Sequence, residues 1–156
     1  MKHLHKLKSL AQMSGSDRLH LLSAFLLLLL IRLSLRLLPF RIVLKLVQKL
    51  SNPGGVSRKN CSLLPPCYPI SHIVWRVNVS SQYMPGGAKC LARALTTQVL
   101  LNQQGYLPDL RIGVAKATAG QLEAHAWVEY QGRVVMGQLN DLARYLPLPS
   151  LEGVKL

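Results

Sequence analysis

Cys90 occupies a position at which a thiol can serve as a nucleophile. Residues 85–87, Pro-Gly-Gly, predict a loop, because proline and glycine resist both helix and strand hydrogen bonding. Apolar residues then recur at helical spacing, and Gly105 is typical of the left-handed residue that closes a helix. Cys90 is therefore expected in the first helical turn, where unpaired backbone N–H groups favour a thiolate. A small buried hydrophobic residue is the alternative interpretation of this cysteine.

A predicted hairpin fixes the neighbours of His125, the second residue that could do chemistry. Strand-like segments lie on both sides of residues 131–132, Gln-Gly, which predict a two-residue turn. With that turn, Trp127 faces Met136 and His125 faces Gln138. A three-residue loop would shift this register and give the histidine another partner.

Gln138 and Asp141 are the two candidates for the group that orients the imidazole. Directly opposed strand residues have Cβ atoms about 4.5–5.5 Å apart, so the Gln138 side-chain oxygen is placed to accept from one imidazole N–H. The other ring nitrogen would take the thiol proton, which completes the nucleophile, base and orienting group of a covalent hydrolase. Asp141 is the reserve candidate, since the register gives it the opposite face parity from His125. For the oxyanion, the backbone N–H of Cys90 is the first donor expected and the Gln82 side chain a weaker one.

Composition limits the other kinds of site and partner. The net charge is +13, and the first 60 residues carry eleven Lys/Arg against Asp17 alone. An acidic partner or an anionic membrane is favoured over nucleic acid, because this basic segment is apolar, nearly free of aromatics and without a nucleic-acid-binding module. The five histidines lack metal-ligand spacing, so neither a metal nor a cofactor is expected. Three cysteines suit a reduced cytoplasmic setting, although one bridge between Cys61 and Cys67 stays open.

The periodicity predicts an α+β fold with three segments. Residues 1–55 form a basic, leucine-rich helical segment, residues 56–69 a linker, and residues 70–156 a core of helices followed by a small antiparallel sheet. Pro39 is expected to divide the first segment into two helices. These helices are expected to pack on the core or a partner, or to lie in a membrane interface through residues 17–50. Spanning a bilayer is disfavoured, because Arg32 and Arg36 interrupt the apolar run.

Three stretches resemble the lasso-peptide biosynthesis B2 proteins, which are leader peptidases with a transglutaminase-like, papain-like cysteine protease fold. The stretches are Cys-Leu-Ala-Arg-Ala-Leu from Cys90, Gly-Tyr-Leu-Pro-Asp-Leu-Arg-Ile-Gly-Val from Gly105, and Ala-His-Ala-Trp-Val-Glu from Ala124 with Gly-Arg-Val-Val after it. The resemblance runs from about residue 70 to residue 149. It implies that Cys90 is the nucleophile and His125 the base. The family usually has an aspartate where this chain has Gln138, which is a departure from its pattern.

The resemblance implies a cytoplasmic cysteine peptidase that removes the leader of a ribosomally made lasso precursor peptide. It also implies a separate leader-binding protein as partner, and the lasso cyclase is a further candidate for contact with the basic helices. Two alternatives remain open. One is acyl transfer to an amine, as in transglutaminases, which uses the same nucleophile and base. The other is a non-catalytic membrane-surface or scaffold protein with a decayed site.

Overall fold

The helices of the N-terminal third are separated by a proline, as the sequence predicts. The computed structural model describes residues 15–51, 68–117 and 120–149. Helix α1 spans Gly15–Leu37 and α2 spans Phe40–Ser51. Pro39 lies between them, and its carbonyl accepts hydrogen bonds from the backbone N–H groups of Ile42 and Val43, so it opens the second helix. Most of the predicted linker, with Cys61 and Cys67 and their suggested bridge, lies outside the described residues.

Two further helices lead to the sheet. Helix α3 spans Ile70–Gln82 and α4 spans Cys90–Gln103, so Cys90 is the first residue of its helix, as predicted. Gly105 follows α4 with a φ of +82°, the left-handed conformation that a glycine adopts without the steric cost of a Cβ atom.

The described residues form one antiparallel sheet of four strands. Strand β1 spans Asp109–Lys116, β2 spans Leu122–Tyr130, β3 spans Arg133–Met136 and β4 spans Leu146–Pro147, in the order β3-β2-β1-β4. A short 3-10 helix, Leu142–Arg144, precedes β4. Strand β4, which the sequence patterns did not predict, pairs with β1 at the sheet edge, where a proline costs no ladder hydrogen bond.

The register of the β2–β3 hairpin differs from the prediction by one residue. The two-residue turn is confirmed, because Gln131 and Gly132 have φ values of 50° and 73° and the residues that flank them, Tyr130 and Arg133, pair directly. A bulge then opposes Val128 rather than Trp127 to Met136. The predicted pairing of Trp127 with Met136 is therefore wrong, because a bulge places one extra residue in a strand and shifts all later pairs.

Helix α4 is packed between the sheet and the N-terminal helices. On one side it shares a cluster with α1 and α2, whose buried members include Leu28, Ile31, Val43, Leu95 and Val99. On the other side it shares a second cluster with α3 and the sheet, whose buried members are Ile73, Val77, Ala94, Leu101, Ala126, Val128 and Met136. The mixed architecture of helices and a small antiparallel sheet is the α+β fold expected from the sequence.

Candidate active site

Cys90 lies at the tip of α4 beside the sheet. Its side chain is half-buried and packs against the cluster that contains Ala126 and Val128 of β2 and Met136 of β3. Lys89 forms the N-cap with an extended backbone, and no side chain caps this helix end. The first backbone N–H groups of a helix have no intrahelical acceptor, so this end stabilises negative charge on the thiol or on a bound carbonyl oxygen.

The loop before Cys90 is held by a residue of α1. Arg32 donates a hydrogen bond from its guanidinium to the carbonyl oxygen of Pro85, at 2.5 Å. Within the loop, the Gly87 N–H donates to the Met84 carbonyl at 2.9 Å, and Met84 itself is buried in the cluster shared by α1, α2 and α4. The leucine-rich helix therefore helps to fix the path of the chain that leads to Cys90.

The His125 imidazole is held by a backbone carbonyl. Its Nε2 lies 2.7 Å from the carbonyl oxygen of Gly137. Because a carbonyl only accepts hydrogen bonds, we assign the proton to Nε2, which leaves Nδ1 with a free lone pair in the neutral ring. The ring also stacks on Trp127, with centroids 6.1 Å apart and planes 13° from parallel, and contacts the ring of Tyr145 at 5.5 Å. The imidazole is thus fixed in orientation, and its basic nitrogen is Nδ1.

Cys90 and His125 lie on opposite sides of the sheet, because Cys90 packs on the face of β2 that α4 covers and the His125 side chain projects from the other face. Ala126 faces α4 in the cluster that Cys90 joins, whereas Trp127, which His125 stacks on, is buried with Ala115 and Tyr145 on the other side of the sheet. Among the described residues no hydrogen bond joins the Cys90 thiol to the imidazole. The structure therefore does not bring the two predicted catalytic side chains together, and their catalytic pairing stays a prediction.

The two predicted orienting residues have other partners. The Gln138 side chain is exposed and donates from its amide nitrogen to the carbonyl of Leu139 at 3.3 Å. The Asp141 carboxylate pairs with Arg144 at 2.6 Å. The predicted juxtaposition of His125 and Gln138 is wrong because β3 ends at Met136 and the bulge changes the register. Whether either side chain contributes to catalysis stays a prediction.

Sequence reasoning missed the Gly137 carbonyl as the partner of His125. A backbone oxygen has no residue-type signature, so only the glycine itself offered a signal. Gly137 has a φ of +86°, and a Cβ atom there would lie 2.8 Å from the Ala126 carbonyl oxygen. This close approach to β2 brings the Gly137 carbonyl within reach of the imidazole.

Tyr145, whose ring contacts the imidazole, is hydrogen-bonded to two charged side chains, Glu123 and Arg144. The Tyr145 hydroxyl donates to the Glu123 carboxylate at 3.3 Å and accepts from Arg144 at 3.0 Å. Burial raises the pKa of Tyr145, and the Glu123 carboxylate raises it further, whereas the Arg144 cation acts in the opposite direction. The tyrosine next to His125 is therefore held in its neutral form at physiological pH.

The remaining predicted site features are few. Gln82, the weaker oxyanion candidate, is the exposed last residue of α3 and precedes the loop that leads to Cys90. Within residues 15–51, 68–117 and 120–149, no group of three or more His, Cys, Asp or Glu side chains could hold a metal ion.

A cysteine at the start of a helix that packs on a histidine-bearing antiparallel sheet is the arrangement of a transglutaminase-like core. A family model described as the transglutaminase-like superfamily matches residues 34–150, which is more than half of the chain, and the chain therefore belongs to this superfamily. No curated protein and no solved structure gives a significant match. The superfamily generally contains cysteine proteases and acyltransferases, and membership is compatible with cysteine peptidase activity.

Proposed function

We propose that this protein is a cysteine peptidase that removes the leader from a ribosomally made lasso precursor peptide. The observation that carries the proposal is a half-buried Cys90 thiol at an uncapped helix start, beside the strand that bears His125. The reaction also requires the His125 ring to reach the thiol from the opposite face of β2 when substrate binds. Membership of a superfamily that contains cysteine proteases supports the reaction class. The resemblance to the lasso B2 proteins, from Cys90 through Glu129, supports the substrate class.

The reaction would proceed in two acyl-transfer steps. The Cys90 thiol gives its proton to Nδ1 of His125, and the thiolate sulfur bonds to the scissile carbonyl carbon while the carbonyl electron pair moves to oxygen. The backbone N–H of Cys90 stabilises that oxyanion. The carbon–nitrogen bond then breaks, and the leaving amine takes the proton from Nδ1. Water then gives a proton to Nδ1, and its oxygen bonds to the thioester carbon. The carbon–sulfur bond breaks, the leader leaves with a new C-terminal carboxyl group, and the Cys90 sulfur takes the proton back from Nδ1.

Before substrate binds, the Gly137 carbonyl orients His125 and sets its tautomer. It accepts from Nε2–H in the neutral ring and in the imidazolium, so the tautomer that keeps Nδ1 basic is maintained. A neutral carbonyl stabilises the imidazolium less than a carboxylate does. A thiol nucleophile tolerates this difference, because it ionises more readily than a hydroxyl.

The peptidase proposal is tested with the full-length protein, a lasso precursor peptide and its leader-binding protein. Mass spectrometry should detect free leader with the wild type, and Cys90→Ala and His125→Ala should release it at least about 100-fold more slowly. A protein with Cys61→Ala and Cys67→Ala serves as control and should keep the wild-type rate. Unchanged cleavage by Cys90→Ala would end the peptidase proposal.

Acyl transfer to an amine is the alternative that the same residues support, because thioester formation is common to both reactions. The two are separated by adding a primary amine to the assay and measuring its incorporation into glutamine side chains of the peptide. Incorporation that exceeds hydrolysis would favour the acyltransferase.

A non-catalytic scaffold is favoured by the placement of Cys90 and His125 on opposite faces of β2, with no hydrogen bond between thiol and imidazole among the described residues. Alkylation by iodoacetamide in the Cys61→Ala, Cys67→Ala protein reports on Cys90 alone. In an enzyme, the thiol should stay reactive at lower pH than it does after His125→Ala, since the imidazolium favours the thiolate. Identical pH profiles for the two proteins would favour the scaffold.

A further inference from the structure

Helix α1 presents a continuous leucine surface to solvent. The six leucines of this surface recur at spacings of three and four residues, which places them on one face of the helix. Each of them is between 47% and 77% exposed: Leu19, Leu22, Leu26, Leu30, Leu33 and Leu37. They extend over about 27 Å at the helical rise per residue. Soluble proteins rarely leave a contiguous apolar surface of this length uncovered unless it binds something.

The opposite face of α1 is already occupied by the rest of the protein. Ala24, Leu28 and Ile31 are fully buried, the latter two against α2 and α4. At its ends the helix is tied by polar contacts, from Arg32 to the Pro85 carbonyl and from Asp17 to Arg76 at 3.7 Å. The leucine surface is therefore the face of α1 that the described part of the protein leaves uncovered.

Helix α2 adds cations on its own exposed side. Phe40, Ile42 and Leu46 are more than a third exposed, and the exposed cations Arg41, Lys45 and Lys49 alternate with them along the helix. Because α1 and α2 pack on α4 through one cluster, their exposed sides form the outside of one helical layer. From residue 18 to residue 51 the sequence has six Lys/Arg and no Asp or Glu, so this layer is apolar and cationic.

We propose that this layer docks on an anionic lipid surface, with α1 lying in the plane of the interface. Hydrocarbon covers the leucines of α1 while lipid phosphates pair with Arg41, Lys45 and Lys49 of α2. Charge decides between this partner and a second copy of the chain. Two copies joined through the same surface would bring these cations together without any acidic residue to offset them.

A tangential orientation follows from the packed face of α1. By length and composition, residues Asp17–Leu37 are sufficient to cross a membrane. Crossing would carry Asp17, Arg32 and their polar partners into hydrocarbon, where an unpaired charge is costly. A helix α1 that lies in the interface keeps those contacts intact, and only its leucine face contacts lipid. The inference does not depend on the proposed peptidase activity.

The test is flotation of the full-length protein with vesicles of equal parts phosphatidylglycerol and phosphatidylcholine. We expect binding that weakens with salt and is at least about tenfold weaker on pure phosphatidylcholine. The double substitution Leu26→Gln with Leu30→Gln should weaken it by at least about tenfold. Its matched control is Leu107→Gln with Leu122→Gln, since these two leucines are as exposed but lie outside the helical layer. That control should bind like the wild type.

Two further variants, each lacking two cations, complete the test. Lys45→Gln with Lys49→Gln should weaken binding to the anionic vesicles about 30-fold, whereas Lys116→Gln with Arg133→Gln, exposed cations of the sheet, should not. Several outcomes would overturn the proposal. The first is equal vesicle binding by the two leucine variants. The second is a wild-type protein that does not bind vesicles but sediments as a dimer, which Leu26→Gln with Leu30→Gln abolishes. The third is vesicle-bound protein that only detergent releases. A further contrary result is a wild-type protein that does not bind vesicles together with a large loss of thermal stability in Leu26→Gln with Leu30→Gln. It would mean that another part of the same chain covers the leucines.

Discussion

The imidazole of His125 is hydrogen-bonded to the backbone carbonyl of Gly137, twelve residues further along the chain, at 2.7 Å. The bond crosses from β2 to the segment that follows β3, and it assigns the proton of the neutral ring to Nε2. A backbone partner cannot be removed by a side-chain substitution. Its position depends on the conformation of Gly137, and this dependence makes it testable.

Replacing Gly137 by alanine should move the carbonyl and disable the imidazole. The residue has a φ of +86°, and a Cβ atom would lie 2.8 Å from the Ala126 carbonyl oxygen. We expect a loss of about 2 kcal/mol or more in the free energy of unfolding, measured by urea denaturation, and at least a tenfold fall in kcat/KM. Gly132→Ala is the matched control, because Gly132 also has a positive φ but no atom within 4 Å of the added Cβ. Its stability should fall by only about 1 kcal/mol, with activity retained.

Replacing Gln138 by alanine should change activity little. Its amide contacts the Leu139 carbonyl instead of His125, so kcat/KM should stay within about threefold of the wild type, as for an exposed position. Asp141→Asn should be equally mild, since that carboxylate pairs with Arg144. Steady-state peptidase kinetics on both variants measure this. A loss of about 100-fold in either one would identify it as the orienting residue in the substrate complex.

Replacing Arg32 by glutamine should loosen the loop that leads to Cys90. The variant loses the hydrogen bond to the Pro85 carbonyl, and we expect about 1 kcal/mol less stability and a several-fold lower kcat, because the nucleophile is less well positioned. Arg36→Gln is the control, as it removes the same charge one turn further along the exposed side of α1. Hydrogen exchange of the Gly87 amide should accelerate in the first variant only. Equal exchange in both would show that Arg32 does not restrain the loop.

The unfolding free energy should decline at alkaline pH through Tyr145. Burial raises the pKa of this phenol above its usual value near 10. The stability that it contributes is therefore fully present below the pKa of the unfolded chain and is lost as the pH rises through the higher pKa of the folded protein. Tyr145→Phe should remove this part of the decline, and its ultraviolet difference spectrum against the wild type isolates one of five tyrosines. A folded-state midpoint at or below that of free tyrosine would contradict the assignment.

Local patterns were sufficient to predict the elements that carry the candidate site. Helical spacing after a Pro-Gly-Gly loop indicated that Cys90 begins a helix, and the Gln131-Gly132 pair indicated the two-residue turn after β2. Both features depend on residues adjacent in sequence. For the same reason Pro39 was a reliable boundary between α1 and α2.

Features set by distant contacts were not predictable in this way. The bulge that moved Met136 from Trp127 to Val128 has no fixed residue signature, and one inserted residue changes every later pair. Strand β4 was missed because Pro147 argues against a strand, yet an edge position tolerates it. The bond from Arg32 to Pro85 joins residues 53 positions apart, and no periodicity connects them.

Helix α1 has a bearing on how this protein is trimmed for expression. The family match starts at residue 34, near the end of that helix, but Leu28 and Ile31 complete the apolar cluster around Leu95 and Val99. A truncation at the family boundary would delete Leu28 and Ile31, expose Leu95 and Val99 to solvent, and drive the product toward inclusion bodies. The leucine-rich helix is thus part of the interior of this protein, and removing it is equivalent to deleting part of the hydrophobic core.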